Sequence, residues 1–279
     1  MQSSSDGKSN PGKRIKGAPD YDDAGFWDAK FVTGQDIGEW LNTGEVLLDA
    51  TISHIEQKDP LLFAQSRNSA ETRSRSRILH LGPGISTLGA RLCTAFVQRG
   101  WRADGIVNVD FSAEAVRLGR QVEEEKGDPA HVMGWVQADL CSWEQVLSTL
   151  SSLAPVDVIV DKSTSDAIAT SVPRTFDFLA DENSMSPIIK GIINRNKNKA
   201  PITLLPVELL GLHLASLTRK GAVWLVLSYS ATRFDNFAYL HDHWNIASRM
   251  PLKAPAGQTV SAAAMVPEVF HWFYVLERK

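Results

Sequence analysis

Two short apolar runs constrain this chain more than anything else in it. Arg77-Ile78-Leu79-His80-Leu81 runs directly into Gly82-Pro83-Gly84, and a second run, Ile106-Val107-Asn108-Val109, ends on Asp110. A buried strand that meets a Gly-x-Gly turn leaves bare backbone facing whatever lies beyond the strand end. An acid closing the next strand can hold a ribose diol. This is the layout of a nucleoside-binding α/β sheet.

The alternation continues downstream. Leu88 to Arg99 places apolar residues at 88, 92, 95, 96 and 97, a helix closed by Gly100. Ser112 is suited to cap a helix over Ala113 to Glu125, stopped by Gly127-Asp128-Pro129. Val132 to Gln137 reads as a third strand and Glu144 to Leu153 as a short helix. Val156 to Val160 reads as a fourth strand covered on both faces. Repeated strand–helix alternation implies a parallel sheet with right-handed crossovers. Pro206 to Leu217 reads as a helix opened by proline, Ala222 to Tyr229 as a fifth strand and Val269 to Leu276 as the last. No helix of proper length precedes that last strand, and Ser230 to Pro267 reads mostly as loop. The final two strands are therefore expected to pair antiparallel. Upstream, Trp27 and Phe31 share a helix face, and Glu45 to Glu56 has the spacing of an amphipathic helix.

The 279 residues show no linker-like break, so a single domain is expected over 20–279. Residues 1–19 are rich in Ser, Gly, Lys and Pro without the apolar core of a secretory signal, and read as a disordered tail. The 163–206 stretch, with Pro173, Pro187, Pro201 and Pro206, reads as an irregular insertion and a candidate acceptor lid. A net charge of -3 gives no global basic field for nucleic acid. The basic run Arg67 to Arg77 reads as a solvated approach loop, with a nucleic-acid contact or a phosphorylation target as alternatives. No apolar run reaches the ~18 residues of a membrane span. Cys93 and Cys141 are the only cysteines, which excludes a disulfide framework or a four-thiolate zinc site within one chain and fits a reduced, cytoplasmic compartment. His241-Asp242-His243 lacks a third ligand at recognisable spacing, so no metal is expected.

A dinucleotide fold wants Gly-x-Gly-x-x-Gly, but Thr87 occupies the third position and Gly89 comes two residues late. A P-loop is excluded because no Gly-Lys-Ser/Thr follows. Losing the third glycine matters little for a nucleoside without phosphates, and S-adenosylmethionine is one. Its amino-acid end fits against Gly82 and Gly84 and its ribose against Asp110. Asp139, after strand three, is placed to read the adenine amino group, and Asp161 closes strand four in the crevice where open α/β sheets bind ligands.

On these residues the chain resembles class I, seven-strand S-adenosylmethionine-dependent methyltransferases. The matching segments are Leu79-His80-Leu81-Gly82-Pro83-Gly84, Asn108-Val109-Asp110, Ala138-Asp139-Leu140 and Val158-Ile159-Val160-Asp161-Lys162, within a resemblance spanning roughly Trp27 to Leu276. His80 departs from the pattern, since many members carry Asp or Glu there. The resemblance implies a Rossmann-like, doubly wound, seven-stranded sheet, mostly parallel with an antiparallel C-terminal strand. It also implies S-adenosyl-L-methionine as cofactor, with S-adenosyl-L-homocysteine as product. Phe26 to Phe31, Asp161 to Ala167 and Ser228 to Phe234 are further similar to lysine methyltransferases of the elongation-factor and citrate-synthase type, and to fungal thiol methyltransferases of the gliotoxin type. There an N-terminal aromatic segment, here within 20–62, lies over the cofactor. The implied cofactor set is Trp27, Phe31, Trp40, Gly82, Gly84, Asp110, Phe111, Asp139, Leu140 and Asp161, and no catalytic residue is assigned. A small-molecule acceptor is favoured, a fungal dithiol such as reduced gliotoxin, with a protein lysine as the alternative. A thiol with pKa ~8.5 supplies thiolate readily, whereas a lysine at ~10.4 must first lose a proton. Acceptor contacts are expected from 163–206, Tyr229 to Phe237 or His241 to Trp244. A non-catalytic or NAD-binding Rossmann protein is disfavoured by Thr87.

Overall fold

The computed structural model describes residues 19–34, 38–58, 77–177, 184–196, 200–255 and 268–279. The readings of 1–18 as a tail and of 67–76 as a basic loop lie outside the described residues.

Helices α1 (Ala24–Thr33) and α2 (Glu45–Lys58) precede an alternating βα series: β1 (Ile78–Leu81), α3 (Leu88–Gln98), β2 (Ile106–Asp110), α4 (Ala113–Glu124), β3 (Gly134–Gln137), α5 (Trp143–Leu150) and β4 (Val156–Lys162). Ser112 caps α4 as expected, its hydroxyl accepting from Ala115 N–H at 3.1 Å. The region after β4 is more ordered than its four prolines suggest. It forms α6 (Thr164–Ile168), β5 (Arg174–Phe176), α7 (Pro187–Arg195) and β6 (Ile202–Leu204), and β5 and β6 pair as an antiparallel ribbon. Pro187 sits in the first turn of α7, where a missing N–H costs nothing, so proline there starts a helix rather than breaking order. Then come α8 (Pro206–Leu217), β7 (Thr218–Ser228), α9 (Leu240–His243), β8 (Trp244–Lys253) and β9 (Phe270–Arg278).

The seven-stranded sheet has the order β3-β2-β1-β4-β7-β9-β8. The first five are mutually parallel, and β9 inserts antiparallel between β7 and β8. Strand β8 corrects the expectation of loop over Ser230 to Pro267. Of its ten residues only Trp244 is buried, because it is the sheet edge, so it carries no apolar alternation to read. Pro251 is tolerated there, since an edge strand has one unpaired side.

Period-two alternation divides the sheet's core in two. Leu79, Leu81, Val109 and Ile159 face one side with α5 and α8, while Ile78, Ile106, Val158 and Val160 face the other with α2 and α3. Helix α8 is buried almost all round, which its near-continuous apolar sequence demands. Gly119 on α4 lies flat against the Trp135 indole of β3, and a Cβ there would fall 2.3 Å from ring carbon Cε2. Gly119→Ala is expected to destabilise the fold near the upper end of the ~1–3 kcal/mol typical of overpacking. That outweighs the ~1 kcal/mol gained in helix propensity. Urea denaturation of the two proteins checks it.

Candidate functional site

The parallel strands end at one level, and the site is built on that edge. After Leu81 the chain turns at Gly82 and Gly84, with φ of +49° and +51°, a left-handed region that favours glycine. Gly82 N–H donates to Val109 C=O at 2.8 Å, tying the turn to β2. A Cβ at Gly82 would lie 2.5 Å from Thr164 Oγ1, and one at Gly84 3.0 Å from Phe31 Cζ. The turn is therefore a cradle that side chains would fill. Asp110 accepts from Gly84 N–H at 3.0 Å and from Ser112 N–H at 2.9 Å. Burial pushes its carboxyl up to about 6, with those backbone donors opposing a larger rise.

Beyond the turn lies a cavity of about 770 Å³. One wall is the Gly82–Thr87 turn with Asp110 and Phe111, and a second is Gln137 to Cys141 with Gln145. The third is less polar, with Ala167, Ile168, Val172, Pro206 and Leu209. The fourth comes from the N-terminal helix and the segment after it, where Tyr21, Trp27, Phe31 and Trp40 line the cavity and pack ring on ring. Trp27 stacks on Phe31 at 5.8 Å, as their four-residue spacing on a helix requires.

The N-terminal segment is also held by charge. Asp28 takes the Ser112 hydroxyl and Glu114 N–H at the start of α4. Glu39 takes Thr87 N–H at 2.7 Å, the Thr87 hydroxyl at 2.6 Å and the Ser86 hydroxyl at 3.0 Å, and pairs with the buried Lys162 ammonium. Burial alone would raise the Glu39 carboxyl, but Lys162 and Thr87 together hold it at about 2.

Nine of the ten residues expected from the sequence line this cavity: Trp27, Phe31, Trp40, Gly82, Gly84, Asp110, Phe111, Asp139 and Leu140. Asp161 does not. It lies beneath, fully buried, accepting from Thr164 N–H at 2.8 Å and Ser165 N–H at 3.2 Å at the start of α6. Burial pushes its carboxyl up to about 7. The physical reason is pleat parity. Asp161 is level with Leu81 and points to the α5–α8 side, so its neighbour Lys162 is the β4 residue that reaches the cavity. Glu39 and Lys162 are among the cavity residues that sequence reasoning passed over, and Lys162 emerges only once the register of β4 against β1 fixes the face that Asp161 takes.

On the acceptor side, part of 163–206 does line the cavity, whereas Tyr229 to Phe237 and His241 to Trp244 do not. Cys141 lines it, but burial pushes its thiol up to about 12, so it stays protonated. His80 is core. It bonds Asn108 Oδ1 through Nδ1 at 2.9 Å, and burial pushes it down to about 4, leaving it neutral. Among the described residues no cluster of three or more His, Cys, Asp or Glu is placed to hold a metal ion, and no helix is long and apolar enough to cross a membrane.

No family model matches the chain, and no curated protein matches it. Solved structures do. One comes from work on the conversion of a disulfide bond into a thioacetal group during echinomycin biosynthesis, at 14% identity over 81% of both chains with a TM-score of 0.43. Another is magnesium protoporphyrin IX methyltransferase from Synechocystis PCC 6803 with bound S-adenosylmethionine, at 11% identity over 91% of both chains and 0.46. A third is a S-adenosylmethionine-dependent methyltransferase from Anabaena variabilis, at 12% identity over 91% of this chain and 92% of that one, and 0.45.

Asp161 carries a pH signature. Its folded value near 7 exceeds the unfolded value of ~3.9, so the native state holds a proton that the unfolded state has released. Its contribution to stability is full below ~pH 4, falls as pH rises, and is lost above about 7. Asp161→Asn removes that dependence. The stability of the variant relative to wild type is expected to rise between pH 5 and 7 and level off by pH 8, as chemical denaturation across that range would read.

Proposed function

We propose that this cavity binds S-adenosyl-L-methionine and that the protein transfers its methyl group to a small-molecule acceptor. The carrying observation is the pairing of the Gly82–Gly84 cradle with the Asp110 carboxylate at one edge of the cavity. Backbone without side chains accommodates an amino-acid moiety in close approach. Asp110 spends one hydrogen bond per oxygen on backbone, and a carboxylate has further lone pairs for a diol. Phe111 and Leu140 supply apolar surface for a flat base, and Asp139, with Oδ1 turned to Cys141 N–H at 2.8 Å, fixes the loop that would face the base edge.

When bound, S-adenosylmethionine supplies an electrophilic methyl on a sulfonium. The chain's own part is to position the reactants and exclude water, which the Tyr21–Trp40 aromatic cover and the apolar wall of Ile168, Val172, Pro206 and Leu209 are suited to do. Among the described residues none that lines the cavity is a histidine. A thiol acceptor needs least help, because a few per cent is already thiolate near pH 7. This supports the lean toward S-methylation of a thiol, such as a fungal dithiol metabolite. A protein lysine is the competing acceptor.

Isothermal calorimetry with S-adenosylhomocysteine tests the donor. We expect binding, weakened by about 1.5–3 kcal/mol in Asp110→Ala, the worth of charged hydrogen bonds. Affinity should also fall as pH drops through about 6, where Asp110 takes up a proton and becomes a poorer acceptor. Incubation with methyl-labelled donor and a dithiol, against a lysate protein fraction, tests the acceptor. Label confined to protein would overturn the small-molecule reading.

A further inference from the structure

The Glu39 carboxylate occupies an anion receptor inside the ligand cavity. Its partners are Thr87 N–H at the start of α3, the Ser86 and Thr87 hydroxyls, and Lys162 Nζ, and these three residues line the cavity with Glu39, next to the Gly82–Gly84 turn. Lys162 is 7% exposed, and its other hydrogen bond is to Asn42 C=O at 3.1 Å, on the same covering segment. That segment is pinned at its far end, where Arg91 donates to Thr43 C=O at 2.7 Å.

The chemistry of this receptor is that of an amino-acid carboxylate site. It offers one ammonium, one backbone N–H at a helix start and two hydroxyls, converging on a single carboxylate. We propose that Glu39 is an internal stand-in for the α-carboxylate of the methyl donor, and that donor binding exchanges one carboxylate for the other, releasing the 38–44 segment as it seats. This rests on the donor reading above. Glu39 already takes Thr87 N–H and both hydroxyls, and a second carboxylate beside it would set two negative charges against one ammonium, so the donor carboxylate competes with Glu39 for the receptor. Withdrawing Glu39 with nothing in its place would leave the Lys162 ammonium without its anion, which favours the closed latch in the free protein; the exposure of Glu39 keeps that preference modest. The cover is thereby coupled to the amino-acid end of the ligand and not to its nucleoside end. Lys162 becomes a binding residue for the donor, and Glu39 a latch that sets its apparent affinity.

The test uses two nucleosides that differ in the amino-acid end, S-adenosylhomocysteine and 5′-methylthioadenosine, which lacks the carboxylate. Each is titrated into the wild-type protein, Glu39→Gln and Lys162→Gln. If Glu39 holds the receptor for about nine-tenths of the time, its removal tightens apparent affinity about tenfold. Glu39→Gln is expected to tighten S-adenosylhomocysteine by that order and leave 5′-methylthioadenosine unchanged. Lys162→Gln is expected to weaken the first and spare the second. Unchanged 5′-methylthioadenosine binding also shows that each variant is folded. Weaker or unaltered S-adenosylhomocysteine binding in Glu39→Gln, or an equal shift for both ligands, would overturn the latch while leaving the donor reading intact. Failure of the wild-type protein to bind either nucleoside would overturn the donor reading and the latch with it.

Discussion

The register of the parallel strands is the constraint on which the rest depends. Leu81 pairs with Val109 on one side and with Asp161 on the other, and Asp110 pairs with Gln137. With those pairings fixed, the strand ends align and the turns that follow them converge on one crevice. A slip of one residue would carry a side chain to the opposite face of the sheet. It would take Asp110 away from Gly84 N–H and put Lys162 into the core. The apolar residues enforce the register, because Leu79, Val109 and Ile159 must all reach one core while Ile78, Ile106 and Val158 reach the other.

Charge is arranged with equal economy at that edge. Three acids close or follow the central strands, and the structure gives each a different environment. Asp110 is buried but shares its oxygens with the cradle, Asp139 is half-exposed and organises its own turn, and Asp161 is sealed under α6. The cation of the edge, Lys162, is met by an acid from outside the sheet altogether. The N-terminal cover is joined to the α/β body by an aromatic contact of Trp40 with Tyr229, by the Asp28 carboxylate at the start of α4, and by the Glu39 carboxylate at the start of α3. The last two place an acid at a helix N-terminus, where the backbone N–H groups and the helix dipole favour negative charge.

Legibility in the sequence followed burial. Strands β1, β2, β4 and β7 are covered on both faces and read as apolar runs, and helix α8 reads through its continuous apolar sequence. Strand β8 is an edge with its side chains largely in solvent, and its run Trp244 to Lys253 could not be told from loop. The β5–β6 ribbon is only three residues per strand, too short for any period to show, and proline in its neighbourhood marked a helix start instead of disorder.

By itself the sequence determined the strand-and-turn alternation, the Gly82–Gly84 cradle and the strand-end residues Asp110 and Asp139 that line the cavity, because each is encoded within a few adjacent positions. Only the tertiary structure decided which β4 residue faces the cavity, since that follows from parity counted across three paired strands. It alone decided that Glu39 meets Lys162, 123 positions away, because no local pattern records a contact made by a covering segment folded back over the sheet.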